Sequence, residues 1–586
     1  MTLWRYFILI SFSLLLSQSG WAANIYVDNQ LTSDLAGPTN YYDPTKGRGD
    51  TCSSTGVTTK GYSTIQEAIT AMSSGDKIYI RGGTYQEGHI NIPTSKNASG
   101  PWTEGNYNYL GSYPGEWAII DGQGTISNDH RGTVLGQIGY AFPYNGITYW
   151  MLERLEITGG GGPSTEYAYG FVGSWGPFWI RYCYIHDNYV RDGGTGGTFA
   201  NGGLSGYCWQ DSIVEYCSFA RNGCLDSSNN NVSEINIASD YLYATIVGSG
   251  FDPTSNGGRH NMRNTYRYNY FELSRGSHGI KYKAGQYFSG KSAATVQETY
   301  NTYGDKIHHN IFFDALSGGI KTSQDFIQIY NNIFDGCVSA IKIGETSDYD
   351  VYKGVTYNNT IIDGTQRALF RLHKEYFEDQ IDAYYGYDYN NILDNGADYD
   401  GNAELGINAI DWETDEDDYS TYVGDRNYFY RPAGTSTQKA NVFSAPDNVY
   451  FTTAEYMAEY PGTTLWNNDY DAENLLYAGT SGASKYIPRD RGAHIISGAT
   501  TIANGGYNAA HPYLSGVTIP SYVGAVNPSD SDWVAGVLGL ATDSNEDGIP
   551  DNLLSATAGS DPTWIEGSGS SPSTPSFTGV MTGSIR

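Results

Sequence analysis

The sequence predicts an all-β fold: a right-handed parallel β-helix with an N-terminal capping helix and a C-terminal extension. Three observations lead there. The first is repetition in the middle of the chain, where short β runs recur behind a paired corner motif. It reads Tyr182-Cys183-Tyr184-Ile185, Tyr216-Cys217-Ser218-Phe219, Tyr268-Asn269-Tyr270-Phe271, His309-Asn310-Ile311-Phe312, Asn331-Asn332-Ile333-Phe334, Asn358-Asn359-Thr360-Ile361 and Asn390-Asn391-Ile392-Leu393. Such a unit cannot bury its own apolar face, so successive units must stack. Asparagine suits a recurring corner, because its amide can bond to the next coil and it tolerates left-handed backbone.

The second observation is a ladder beside the asparagines. Gly279-Ile280-Lys281, Gly319-Ile320-Lys321 and Ala340-Ile341-Lys342 recur in step with the coils, and Ala368-Leu369-Phe370 is aligned as their continuation. Strand alternation sends the isoleucines into the core and the lysines outward. Coils stack about 4.8 Å apart, so the lysines form a basic stripe, which Lys283 joins. The chain has only 33 Lys and Arg, which makes the stripe stand out.

The third observation lies near the start. Ile25-Tyr26-Val27 reads as a strand, and Ser63-Thr64-Ile65-Gln66 as a capping box opening a helix through Ala71. Gly75-Asp76 then turns into the strand Lys77–Ile80 and into Gly82-Gly83-Thr84-Tyr85. A short helix followed by this strand and turn is suited to cover the open end of a coil.

The remaining segments follow in order. Arg5, the apolar run Phe7–Leu16 and the small residues Gly20 and Ala22 form a secretory signal over residues 1–22. Residues 23–540 are read as the β-helix with its capping and closing segments. Residues 541–566 are a calcium-loop segment, and residues 567–586 a flexible Ser/Gly/Pro-rich tail. Tyr486–Ala493 and Tyr522–Pro528 are expected to close the C-terminal end. In the calcium loop, Asp543, Asn545, Asp547 and Asp551 place oxygen ligands at alternating positions around Gly548. The expected cofactor is therefore Ca2+, structural in this loop.

Composition narrows the partners. A net charge of −30 argues against nucleic acid, whose phosphates need clustered Lys and Arg. No stretch is long enough to span a bilayer. The chain is expected to act as a secreted monomer on an extracellular anionic polysaccharide. Tyr 52 and Trp 12 give abundant flat surface, most of it packing at strand edges and some able to stack on sugar rings. The six cysteines leave pairing open, with Cys208 to Cys217 or Cys224 as local options. No phosphate loop, dinucleotide fingerprint or Ser-His-Asp signature stands out.

With its N-terminal helix, strand and Gly-Gly-Thr-Tyr turn, the sequence resembles the pectate-lyase-like superfamily of parallel β-helices. The stretch Ser277-His278-Gly279-Ile280-Lys281-Tyr282-Lys283 is similar to the Lys-bearing strand of its polysaccharide lyases. That resemblance implies β-elimination with a Lys or Arg base, often assisted by calcium. Lys281 and Lys283 are then the base candidates, and His278 or Tyr282 the proton donor, with alternation turning Tyr282 inward. Arg259, Arg263, Arg275, Lys321 and Lys342 would hold carboxylates or sulfates. Calcium ligands could come from Asp187, Asn188, Asp192, Asp211, Glu215 and Asp226, although turn roles suit them too.

Other readings stay open at this point. A glycoside hydrolase would draw paired acids from Glu153, Glu156, Asp211, Glu215 and Asp240. A C5-epimerase would begin with the same proton abstraction as a lyase. A glycan-binding adhesin would need no catalytic group, and the fold alone does not separate these.

Overall fold

The computed structural model describes residues 22–394 apart from 103–104, 128–129, 131, 138–145, 163–166, 175, 191–200, 208, 225–232, 239–262, 273–277, 284–303, 315–317, 323–326, 338–339, 344–354, 363–369, 374–386 and 390. Beyond these it describes short strands between 410 and 471, residues 478–487 except 479, and residues 524–526, 531–544 and 548–554. The signal segment up to residue 21 and the tail 567–586 lie outside the described residues.

Each coil visits three sheets in turn. One coil runs through Lys306–His308 in the first sheet, Ile311–Phe313 in the second and Gly318–Thr322 in the third. The next repeats the path through Gln328–Tyr330, Ile333–Asp335 and Ile341–Ile343. The described strands build three large sheets of 13, 12 and 12 strands, ordered by coil number except at the N-terminal edge of the first, where Asn24–Val27 lies between Lys60–Tyr62 and Lys77–Ile80. Pairing is parallel throughout these sheets except at Phe443–Ser444 against Tyr450–Phe451. Strand order and parallel register define a parallel β-helix.

The interior is built from inward positions repeated coil after coil. Phe219, Phe271, Phe312 and Phe334 stack with centroids 4.7–4.9 Å apart and planes within 8° of parallel. All four are fully buried. Large rings repeated at one coil position contribute apolar burial and offset-stacking contacts together. The glycines of the third sheet allow this. A Cβ on Gly279 would lie 2.5 Å from the Phe312 ring, and one on Gly319 2.4 Å from Phe334.

The corner motif divides its work between two residues. Tyr182, Tyr216, Tyr268, His309, Asn331 and Asn358 adopt left-handed backbone, with φ between 52° and 56°. The residue after each faces inward. Asn269, Asn310, Asn332, Asn359 and Asn391 then form a buried ladder in which the Nδ2 of each of the first four donates to the next coil's Oδ1 at 3.0–3.1 Å. Cys183 and Cys217 hold the same position in the two preceding coils and remain free thiols. Cys217 is therefore not bridged to Cys208, which corrects that pairing option. Cys208 and the side chain of Cys224 lie outside the description.

At the N-terminus the helix forms over Ile65–Ala71 as expected and buries Ile65, Ala68 and Ile69 in the main core. Its cap sits one residue later than the sequence suggested. The Thr64 hydroxyl accepts the Glu67 N–H and donates to the Glu67 carboxylate. Gln66 instead pairs with the backbone of Asn91.

The C-terminal extension departs from expectation. Tyr486, Ala525, Val526, Trp533, Val534, Val537, Leu540 and Leu553 join a cluster with Tyr184, Tyr270, Ile311, Ile333 and Ile362. Tyr486 Oη and Lys485 Nζ both donate to Asp335 at 2.7 Å, and Ala525 N–H donates to Thr360 Oγ1 at 2.8 Å. The described part of this segment thus covers the outer side of the second sheet, several coils before the last strand, rather than closing the end. The outer residues there are apolar, so an exposed sheet face would cost free energy unless covered.

Candidate functional site

The lysine stripe follows from strand alternation. Ile280, Ile320 and Ile341 are fully buried in the core, and the intervening lysines take the opposite face. Register places Lys281 opposite Lys321, Lys321 opposite Lys342 and Lys342 opposite Arg371. The column therefore continues into a fourth coil. Phe370 does not continue the lysines, because it pairs with the inward Ile341, one residue before Arg371. Lys281 is 5% exposed, while Lys321 and Lys342 are half-buried. Lys283 ends the same strand, opposite Ala238, with its side chain outside the description.

His278 opens this strand, between Ser233 of the preceding coil and Gly318 of the next. It is 3% exposed, and neither Nδ1 nor Nε2 has a hydrogen-bond partner. Gly279 and Ile280 both face the core, so alternation breaks at Gly279 and returns His278 to the lysine side. Burial, then the charges of Lys281, Lys342 and Lys321, hold its imidazole far below the ordinary histidine range. At neutral pH the ring is uncharged. Tyr282 faces inward, as alternation requires, and donates to Asp305 at 2.7 Å.

Most other candidates are engaged elsewhere. Arg263 forms a two-pronged ion pair with Asp211, through Nε at 2.6 Å and a terminal nitrogen at 2.7 Å. Both residues occupy left-handed corners, which explains the pairing across one coil. Along the first sheet, register aligns Glu153, Arg181, Glu215 and Arg267 as a column of alternating charge that ends at His308. Glu153 contacts Arg181 at 3.1 Å, and Glu215 contacts Arg267 at 2.5 Å and accepts from Trp179. Glu156 is held by Trp117 and His186. Asp187 pairs with His186 and Arg221, and Asn188 is a buried ladder amide bonded to Asn222. Carboxylates held this way are ion-pair partners of neighbouring coils, on sheets other than the one carrying the lysines.

Arg259, Arg275, Asp192, Asp226 and Asp240 lie outside the described residues, as do Asn545 and Asp547 of the C-terminal loop. The two described carboxylates of that loop turn inward. Asp543 accepts the Gly548 N–H at 2.8 Å, and Asp551 accepts the Ser544 hydroxyl at 2.6 Å. Among the described residues no group of three or more His, Cys, Asp or Glu is placed to hold a metal.

Two further polar residues escaped the sequence reading. Lys306 and Gln328 are register neighbours on the outer face of the first sheet. Burial pulls the Lys306 amine below its ordinary value, and the buried Gln328 Nε2 has no acceptor. Neither stands in a repeated motif, so only strand pairing brings them together.

No family model matches the sequence, and no curated protein matches it either. Solved structures similar to the chain include a GH136 lacto-N-biosidase from Eubacterium ramulus, at 13% identity over 63% of this chain and 64% of that one, with a TM-score of 0.37. Pectate lyase Pel9A is similar at 15% identity over 64% of this chain and 77% of that one, with a TM-score of 0.34. A PL6 family alginate lyase, AlyGC, is similar at 13% identity over 68% and 55%, with a TM-score of 0.32. The chain spans less than two thirds of the first and third of these proteins. The strand order defines the class: a parallel β-helix protein with a column of basic residues on one outer face.

Proposed function

We propose that this chain is a secreted polysaccharide lyase that cleaves an anionic, uronate-containing polysaccharide, with or without sulfate groups, by β-elimination. The observation that carries the reading is the register-aligned column Lys281, Lys321, Lys342 and Arg371 beside the unpartnered His278. Cations repeated about every 4.8 Å match a polymer with a negative group on successive sugars better than any carboxylate pair among the described residues. The coil is taken as right-handed, since parallel crossovers have that hand in about 98% of cases, with Ile65–Ala71 capping its N-terminal end.

A basic group, Lys281 or Lys283, takes the proton at C5 while a neighbouring cation neutralises the substrate carboxylate and makes that proton acidic. The C5 electron pair forms the C4–C5 double bond, the C4–O bond breaks, and the leaving oxygen takes a proton from His278. Arg259, Arg263 and Arg275 remain as substrate-binding candidates, Arg263 only if it leaves Asp211. Calcium is proposed as structural in the loop Asp543, Asn545, Asp547 and Asp551, where the two described carboxylates already cap loop donors. The protein is proposed to act as a monomer outside the cell.

The test is to incubate purified protein with a panel of uronate-containing and sulfated glycans and follow ultraviolet absorbance of unsaturated uronates. Rising absorbance is expected. New reducing ends without that absorbance would replace elimination by hydrolysis, and no change in either would leave a glycan-binding protein.

A further inference from the structure

We propose that His278 reads the charge of the bound polymer, staying neutral while the lysine face is empty and taking up a proton when anionic groups bridge Lys281, Lys321 and Lys342. The inference deepens the proposed function and rests on its reading of this face as an anion site.

The geometry that carries it is a buried imidazole without a hydrogen-bond partner, set beside lysines of three successive strands. On its own strand the charge nearest His278 is Lys281, on the next strand Lys321, and on the one after Lys342. The preceding strand carries Glu234, between the register pairs Ser233–His278 and Ile235–Ile280. Gly318 faces His278 from the following coil. A nine-tenths-buried imidazole normally finds a partner for at least one ring nitrogen, and this one finds none. Two open nitrogens beside three ammonium groups suit a ligand that brings acceptors and negative charge together. A carboxylate or sulfate on the lysines cancels their repulsion of an imidazolium and offers the acceptor its N–H lacks. The proton of the leaving-group donor is then present only when a substrate chain is in place. Burial and the lysine field acting in the same direction fit a ring kept uncharged in the empty protein.

The experiment uses dextran sulfate, which has no uronate and so cannot undergo elimination. Titration calorimetry at pH 6 in two buffers of different ionisation enthalpy gives the protons taken up on binding. The full-length wild type is expected to take up about one proton per occupied face. His278→Gln is expected to bind with near-zero uptake, and Glu234→Gln to keep the wild-type value. The wild type also supplies a measure that needs no variant: its Kd should tighten up to about tenfold per pH unit on going from pH 7 to pH 5. Undiminished uptake in His278→Gln, or a Kd indifferent to pH, overturns the inference while leaving the anion site standing. Binding that is absent, or indifferent to Lys321→Ala combined with Lys342→Ala, overturns both.

Discussion

The carboxamide of Asn332 donates to that of Asn359, one coil on, at 3.1 Å. The same Nδ2 donates to Ile307 O and Tyr330 O, and the Asn332 Oδ1 accepts both the backbone N–H and the Nδ2 of Asn310. The side chain is fully buried and meets five hydrogen-bond demands. Asn332→Leu removes them all and strands polar groups of three coils. We expect a loss of about 3–5 kcal/mol, since each stranded buried group costs roughly 1–3 kcal/mol. Urea unfolding measures it, and a loss below about 1 kcal/mol would mean the ladder is dispensable.

Asp305 holds the equivalent place at another corner, below the strand of Lys281. It accepts from Asn264 and Tyr282, and burial pushes its carboxyl up to about 6. From the ordinary value of 3.8 up to about 6, the folded protein keeps a proton that the unfolded chain has released. Stability therefore falls as pH rises through that window and is level above it. Asp305→Asn, which restores the amide used elsewhere in the ladders, should gain up to about 3 kcal/mol at pH 8 and little at pH 4. The comparison of unfolding midpoints at the two pH values decides the matter.

His186 behaves in the opposite sense. Burial opposes its charge, but hydrogen bonds to Asp187 at 2.8 Å and Glu156 at 3.1 Å outweigh that and raise it above 6.5. A raised histidine contributes stability that is complete below its unfolded value and is lost as pH climbs through the folded one. The wild type should therefore weaken from near neutrality into the mildly alkaline range. His186→Gln should flatten that slope in a series of thermal melts, and an unchanged slope would assign it to other groups.

Trp533, on the buried side of the helix Asp532–Leu538, lies edge-on to His309 at 5.1 Å. Trp533→Ala should cost about 3–5 kcal/mol of docking free energy. Because that segment packs on the outside of the coil, limited proteolysis should cut it first and leave the β-helix whole. Simultaneous loss of both would show a single cooperative unit.

On the lysine face, Lys281→Ala and Lys283→Ala should each be assayed with folding checked by circular dichroism. The one that serves as base should lose about 10²–10⁴-fold in kcat. Lys342→Ala should act mainly on KM. Full turnover in both Lys281→Ala and Lys283→Ala would remove this strand from catalysis.

Much of the coil was legible in the sequence because its demands are periodic. Stacked parallel strands require an apolar residue at the same inward position in every coil, so Ile280, Ile320 and Ile341 recur, as do Phe271, Phe312 and Phe334. The corner amides recur for the same reason. With alternation, the same periodicity places Lys281, Lys321 and Lys342 on the outer face.

Non-repeating contacts were decided only by the tertiary structure. The sequence could not separate the left-handed Asn331 from the ladder Asn332, since both are asparagines. It could not place Arg371 in the basic column, because a one-residue shift in register reverses every side chain. Nor could it show that Asp211, Glu153 and Glu215 are tied to arginines 28 to 52 residues away. The C-terminal extension lies on the flank because Tyr486 and Lys485 reach Asp335 across 150 residues of chain. Periodicity records what each coil needs from its neighbours. Where a loop returns, which acid meets which base, and whether His278 faces the lysines depend on distances between coils that no local pattern encodes.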